Sequence, residues 1–190
     1  MRKVLVVTIT LLTLAVVAAA TVDDLSAQAA ATYAATANVK TAGGASVSAP
    51  VTITVTRWTT DAERAKVIAA LKTGGTGLKT ALEAMPSAGT LEVGGRTTTL
   101  RFARTLTTSG GKLVTLVASE PIVYLGAGAP EAKPKSGYDF AFATFEVDAA
   151  GKGTAGDLAP AAKLKHGQND AVVVDDYGAE AVRLTGISSK

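Results

Sequence analysis

The chain has 190 residues, with 19 lysines and arginines against 16 aspartates and glutamates, a single histidine and no cysteine. The lack of cysteine excludes disulfide bonds and a lipid-bearing cysteine, and one histidine leaves too few ligands for an ordinary zinc site, so we expect no metal and no cofactor. The net charge of +3 is scattered without a basic run, which argues against a nucleic-acid partner. This length suits one export signal and one ordinary domain.

The first 29 residues have the features of a secretory signal peptide. Arg2 and Lys3 supply its positive start, and an apolar run follows over 4–17. Small residues permit cleavage after Ala20 or after Ala29, and the polar segment between these two sites favours the second. A transmembrane anchor is the alternative, but the apolar run is at the short limit for spanning a bilayer. We therefore expect a periplasmic or secreted protein with no stable membrane anchor after cleavage.

Residues 30–49 are rich in alanine, threonine, serine and glycine and show no hydrophobic period. This composition predicts a flexible leader. The following residues, 50–190, are predicted to form a single α+β domain. Its first strand covers 51–55, where valine and isoleucine alternate with threonine, as in a strand with one buried face.

Two helices are predicted after this strand. Thr60 and Glu63 have the spacing of a capping box, in which each side chain bonds the backbone N–H of the other residue. Apolar residues then recur at helical spacing, with Arg64 one turn earlier on the same side, and Gly74–Gly75 ends the helix. A second, shorter helix ends at Pro86.

Strands and turns are predicted for the rest of the chain. Apolar patterns between glycine-rich turns indicate strands at 90–93, 96–107, 113–118, 122–125, 138–147, 161–165, 171–174 and 179–187. The segment 126–137 is predicted to be an exposed loop. Short connections favour antiparallel pairing, so we predict an α+β fold with a curved sheet or partial barrel of about seven or eight strands and a two-helix hairpin after the first strand. A flat-sheet sandwich is the alternative.

The segment Arg57-Trp58-Thr59-Thr60-Asp61-Ala62-Glu63-Arg64, called here the RWTTDAER segment, is the most distinctive in the chain. It leads into a leucine- and isoleucine-containing helix and then a short helix ending in Met85–Pro86. In this it resembles a set of exported bacterial proteins of unassigned function, in which a similar "RWSTDAER" segment precedes two helices and a strand-rich C-terminal half. The resemblance is best over 57–86 and looser over 138–147 and the final AVRLTGI segment. It implies an exported domain of this layout, and neither an activity nor a site.

Common catalytic chemistries lack their residues in this chain. The one histidine, His166, lies in a polar turn, and neither a Gly-x-Ser-x-Gly elbow nor a phosphate-binding glycine loop with its Lys-Ser/Thr is present. Acidic residues cluster near the C-terminus at Asp170, Asp175, Asp176 and Glu180. Two carboxylates across a cleft can hydrolyse glycosidic bonds, but acidic residues are also common in turns. We therefore keep a carboxylate-dependent hydrolase as an alternative and assign no catalytic residue.

The most specific functional signal is charge in phase with apolar strand residues. The candidate ligand-binding residues are Arg57, Arg104, Glu146, Phe102, Phe140 and Phe142. Because a buried ion must be paired, the ordinary explanation is that Arg57 and Glu146 reach water at strand ends and that Arg104 pairs with one acid. The sharper hypothesis is a cavity inside the curved sheet, lined by aromatic rings and arginine, that binds a small amphipathic or anionic ligand.

These observations favour an exported, periplasmic, non-enzymatic domain that binds a small ligand or a protein partner of the envelope. The hydrolase is one alternative, and a structural envelope protein without a ligand is another. A featureless core with an exposed apolar patch would favour the structural role.

Overall fold

The described part of the chain is dominated by β-strands. A computed structural model describes residues 29–40, 46–75, 77–122 and 135–190. The predicted signal peptide, apart from Ala29, lies outside the described residues, as do the predicted strand residues 123–125 and most of the predicted loop. No helix within these described ranges is long and apolar enough to cross a membrane.

Nine strands and two α-helices make up the described fold, and every strand pairing is antiparallel. In chain order they are β1 (Ala31–Lys40), β2 (Ser46–Val55), α1 (Asp61–Lys72), α2 (Leu78–Glu83), β3 (Gly89–Val93), β4 (Arg96–Thr107), β5 (Lys112–Ala118), β6 (Phe140–Val147), β7 (Lys152–His166), β8 (Val172–Tyr177) and β9 (Val182–Ser189). The helices follow the second strand rather than the first, because an unpredicted strand precedes them.

Eight of the strands close into an antiparallel barrel. Neighbours follow the order β6-β5-β4-β3-β2-β1-β9-β7, and β7 also pairs with β6. Residues 152–158 of β7 pair with β9, whereas residues 162–166 pair with β8, so the far end of the β7–β8 hairpin extends past the ring. The predicted α+β class and mainly antiparallel sheet are confirmed. The single sheet closes on itself, which differs from both the partial barrel and the sandwich.

The predicted flexible leader is wrong for most of its length, because β1 and the start of β2 occupy it. β1 lies between β2 and β9 and closes the ring. Tyr33, Ala35 and Ala37 are buried in the barrel interior, where the Tyr33 and Phe145 rings pack edge to face with their centroids 5.0 Å apart. The interior positions of β1 alternate along the strand, but small barrels fill some of them with small residues, and alanine, which also occupies the outward position 34, gives only a weak hydrophobic contrast.

Two separate apolar layers stabilise the fold. The first fills the barrel interior with side chains from all eight ring strands, including Ile53, Leu91, Leu100, Val114, Phe145, Leu158 and Leu184. The second lies on the outer surface of the barrel, where the helices cover it. Its members include Val67, Ile68, Leu71, Leu78, Leu82 and Met85 from the helical region and Phe102, Val117, Phe140 and Phe142 from the strands. The helices are therefore anchored by apolar burial on the outer face of the barrel.

A β-bulge in β4 decides which layer its side chains enter. The register with β5 shifts between Leu100 and Phe102, which leaves Arg101 as the extra residue. Leu100 consequently faces the interior, whereas Phe102 joins the outer layer under the helices. Regular alternation along 96–107 would place Leu100 on the same face as Phe102 and Arg104, and the bulge is the reason that it does not.

β7 is also longer than predicted. Only 161–165 has a visible strand pattern, yet the strand runs from Lys152 to His166. Its register with β6 shifts at Phe140/Phe142, opposite Pro160 and its neighbours. Proline lacks a backbone N–H and is tolerated in a strand at such a bulge, which explains why the pattern is interrupted although the strand is not.

Replacing Tyr33 with alanine is expected to lower the free energy of unfolding by about 3–5 kcal/mol, because it empties a large buried site in the barrel. Thr36→Ala, at an exposed position of the same strand, should change it by less than about 1 kcal/mol. Urea titrations of both variants measure this difference. Equal midpoints for Tyr33→Ala and the wild type would show that β1 is a leader and not a barrel strand.

Candidate functional site

The RWTTDAER segment is hydrogen-bonded directly to β4. The Thr59 N–H donates to the carbonyl of Ala103 at 2.8 Å, and the Thr59 hydroxyl accepts from the Ala103 N–H at 2.9 Å. Thr59 is only 3% exposed, so both bonds are shielded from water. This pair of bonds places the start of α1 beside the residue that follows Ala103, which is Arg104.

Glu63 holds the first turn of α1. Its carboxylate accepts from the Thr60 N–H and from Arg57 Nη1, each at 2.9 Å, and the Thr60 hydroxyl accepts from the Glu63 N–H at 3.3 Å. The predicted capping box is therefore confirmed. The hydrogen bond from the Arg57 guanidinium, with help from Thr60, lowers the pKa of the Glu63 carboxyl below its usual value.

A groove lies on the outer face of the barrel, where α1, β4, β5 and the turn after β7 meet. Its volume is about 330 Å³. Its apolar lining comes from Phe102, Leu106, Leu113 and Val172, and its positive charge from Arg64 and Arg104. Residues 168–170 lie at one side and include one acid, Asp170, whose carboxylate is paired with Lys72 and His166. We call this the arginine groove.

Arg104 is the cation of the groove that the sequence predicts. Its Nη1 donates to the Thr59 carbonyl at 3.2 Å, and its Nη2 donates to Asp61 Oδ1 at 2.6 Å. The expected pairing with one acid is confirmed. The Arg104 side chain is 33% exposed and that of Asp61 is 71% exposed. An ion pair so open to water contributes at most about 1 kcal/mol.

Arg64 is the second cation of the groove, and it is absent from the predicted site residues. Its Nη2 donates to the carbonyls of Asn169 and Asp170, at 3.0 and 2.9 Å. These two residues have φ values of 54° and 53°, a left-handed conformation that Asn and Asp tolerate better than most residues. One signal in the sequence points to Arg64, since it falls in phase with the apolar side of α1. That side of α1 faces the barrel, so an arginine on it lies at the boundary between the helix and the barrel.

The predicted aromatic residues lie on the outer face of the barrel. Phe102 lines the arginine groove together with Arg104. Phe140 and Phe142 belong to the same outer layer but lie beneath the helices and do not line the groove. The hypothesis of a cavity inside the sheet is therefore corrected, because the interior is filled by other apolar residues and these rings point away from it.

The remaining predicted charges do not converge with Arg104. Arg57 pairs with Glu63 and also donates to the carbonyl of Pro86. Glu146 is exposed on β6 and accepts a hydrogen bond from the Thr108 hydroxyl. Glu146 reaches water, as in the ordinary explanation, whereas Arg57 is held by its partners and its Nε is buried with no hydrogen-bond partner among the described residues.

Three of the four acidic residues near the C-terminus have separate partners, and the fourth, Glu180, is exposed. Asp170 pairs with His166 at 2.8 Å and with Lys72 at 3.1 Å, Asp175 pairs with Lys165 at 2.9 Å, and Asp176 accepts from the Tyr138 hydroxyl. Hydrogen bonds from His166 and Lys72 lower the pKa of the Asp170 carboxyl. A glycoside hydrolase that works through two carboxyl groups needs one of them to stay protonated so that it can donate a proton. This arrangement therefore gives the hydrolase alternative no support.

No protein-family model, curated protein or solved structure matches this chain. The resemblance of the RWTTDAER segment to exported bacterial proteins stays a prediction. Each charged residue of that segment has a partner within the fold, since Arg57 binds Glu63, Asp61 binds Arg104 and Arg64 binds the turn at Asn169. The segment's charges therefore have a structural explanation that requires no catalytic role.

Glu63→Gln is expected to lower the free energy of unfolding by about 1 kcal/mol at neutral pH, because it removes the charge that binds Arg57 and the Thr60 N–H. The pKa of Glu63 is lowered in the folded protein, so its contribution is present above the unfolded pKa of about 4.3 and is lost as the pH falls through the folded value. The deficit of the variant should therefore shrink in acid. Urea titrations at neutral and acidic pH measure it.

Glu83→Gln, on the exposed surface of α2, is the matched control and should show little deficit at either pH. A Glu63→Gln deficit that stays constant into acid would mean that the carboxylate charge does not stabilise the start of α1.

Proposed function

We propose that this protein is an exported, periplasmic domain that binds a small amphipathic anion in the arginine groove and catalyses no reaction on it. The observation that carries this proposal is the placement of two arginines, Arg64 and Arg104, beside an apolar surface in one groove. Protein pockets that bind small molecules combine an apolar lining with a few placed polar groups in this way.

The two guanidinium groups retain donors for an anion. A guanidinium has five N–H donors in a planar fork that matches carboxylate and phosphate oxygens. Within the described residues, Arg64 and Arg104 each make two hydrogen bonds, and three of those four acceptors are neutral backbone carbonyls. Carbonyl acceptors orient an arginine without cancelling its charge. Arg64 can therefore attract an anion while it remains held in place, whereas Arg104 shares its charge with the exposed Asp61 carboxylate.

The apolar part of the groove is suited to a hydrocarbon tail. Leu106 is 60% exposed at the edge of the groove, and it is one of few large apolar side chains so exposed in the described part of the chain. Covering such a side chain removes apolar area from water, at about 25 cal/mol per Å². Leu113 and buried Phe102 extend this surface inward. A ligand with one charged end and one apolar end would satisfy both parts of the groove.

The size of the groove suits a small molecule. Its volume of about 330 Å³ is near the lower end of ligand pockets, which run from roughly 300 to 1,000 Å³. Protein interfaces instead bury about 800 Å² on each partner. The small-ligand form of the sequence prediction is thus the one that the groove supports.

Native mass spectrometry of the mature protein, purified gently from the envelope of its own host, tests the proposal. A ligand mass should accompany the wild type and disappear in Arg104→Leu. Arg183→Leu is the matched control, because Arg183 pairs with Asp157 at 2.8 Å on the surface and does not line the groove. It should retain the ligand.

The stability of Arg104→Leu completes the test. Because the Arg104–Asp61 pair is exposed, the variant should stay folded and lose no more than about 1 kcal/mol of unfolding free energy. Higher stability with an undiminished ligand mass would show that Arg104 is a structural residue and that the binding proposal is wrong. A wild-type protein that carries no ligand, or carries a second polypeptide, would point instead to a structural or interaction role.

A further inference from the structure

In the free protein, the carboxylate of Asp61 is the anionic group that lies against Arg104. Its carboxylate oxygen Oδ1 lies 2.6 Å from Arg104 Nη2, a distance typical of a charge-assisted hydrogen bond. Asp61 comes from the first turn of α1, whereas Arg104 comes from β4. The position of this oxygen shows that the outer edge of Arg104 accepts a carboxylate without any rearrangement of the barrel.

The Asp61 carboxylate is weakly held compared with its neighbour Glu63. Asp61 has Arg104 as its one hydrogen-bond partner among the described residues, and its side chain is 71% exposed. Glu63 accepts from Arg57 and from both the N–H and the hydroxyl of Thr60, and its side chain is 19% exposed. Glu63 therefore caps the helix, and Asp61 is not needed for that role.

Departure of Asp61 from Arg104 carries little cost. The side chain already contacts water, so turning away desolvates nothing. It also stays in the first turn of α1, where a negative charge is favoured by the exposed N–H groups. An arriving carboxylate would restore the charge-assisted bond that Arg104 loses.

From this geometry we propose that Asp61 is a built-in competitor, which the carboxylate of an amphipathic ligand displaces from Arg104 on binding. The inference rests on the proposed function and adds the ligand class, a carboxylate with an apolar tail, and the group that limits its affinity. Since an exposed pair contributes up to about 1 kcal/mol, Asp61 weakens binding by about two- to five-fold.

Calorimetric titration with octanoate at low salt tests this in the full mature chain. Asp61→Asn should bind octanoate about two- to five-fold more tightly than the wild type, because the competing charge is gone. Arg104→Leu should lose binding. Asp157→Asn is the matched control, since it removes one surface carboxylate from an arginine pair outside the groove and changes the net charge equally. Its affinity should equal that of the wild type.

The remaining outcomes separate the two ideas. If Arg104→Leu loses binding while Asp61→Asn binds no more tightly than the wild type, ligand binding in the groove is supported and the competitor role of Asp61 is overturned. An equal gain in Asp61→Asn and Asp157→Asn would also overturn it, because net charge alone would explain the gain. If octanoate binds the wild type and Arg104→Leu equally, or binds neither the wild type nor Asp61→Asn, then both the arginine groove as a carboxylate site and the competitor role of Asp61 are overturned. Binding of octyl phosphate but not octanoate would overturn the ligand class.

Discussion

The buried hydrogen bonds between Thr59 and Ala103 decide where the helices start relative to the barrel. Both bonds lie out of reach of water, and breaking either would leave a buried polar group unpaired, at a cost of about 1–3 kcal/mol. Because Thr59 directly precedes the cap of α1, these bonds also set the position of the first helical turn. Asp61 and Arg64 reach the vicinity of Arg104 as a consequence. The arginine groove thus depends on two backbone-directed bonds made outside it.

The bulge in β4 completes the groove from the side of the barrel. Without the extra residue at Arg101, Phe102 would keep the inward phase of Leu100 and enter the interior. With it, Phe102 lies under α1 and Arg104 stays on the same outer face. Barrel strands commonly use bulges to direct a side chain toward a functional surface. Here the effect is an apolar surface next to a cation, outside a barrel whose own interior is filled.

The two arginines of the groove are held in place mainly by neutral backbone carbonyls and less by opposite charges. Arg64 binds two backbone carbonyls in the left-handed turn at Asn169 and Asp170, and Arg104 binds the Thr59 carbonyl and one exposed acid. Neutral partners fix the direction of each guanidinium but leave its charge available. Arg57 differs in the acid that it binds, because Glu63 is 19% exposed and is also bonded to Thr60, whereas the Asp61 carboxylate at Arg104 is 71% exposed. The distinction explains why Arg57, in phase with an apolar strand like Arg104, is a structural residue.

Interactions between residues close in the chain follow from the sequence alone. The capping box at Thr60 and Glu63, the glycine stop of α1 and the alternation over 51–55 depend on neighbours a few residues away, and composition also limits the accessible chemistry. Tertiary structure alone decided that β1 closes the ring, since its interior positions alternate but two of them are alanines that contrast only weakly with their neighbours. It also decided the bond from Arg64 to Asn169, whose partners lie 105 residues apart. A local pattern indicates which face of a helix or strand is buried. A bulge or a ring closure depends on which strand lies opposite, and only the folded chain decides that.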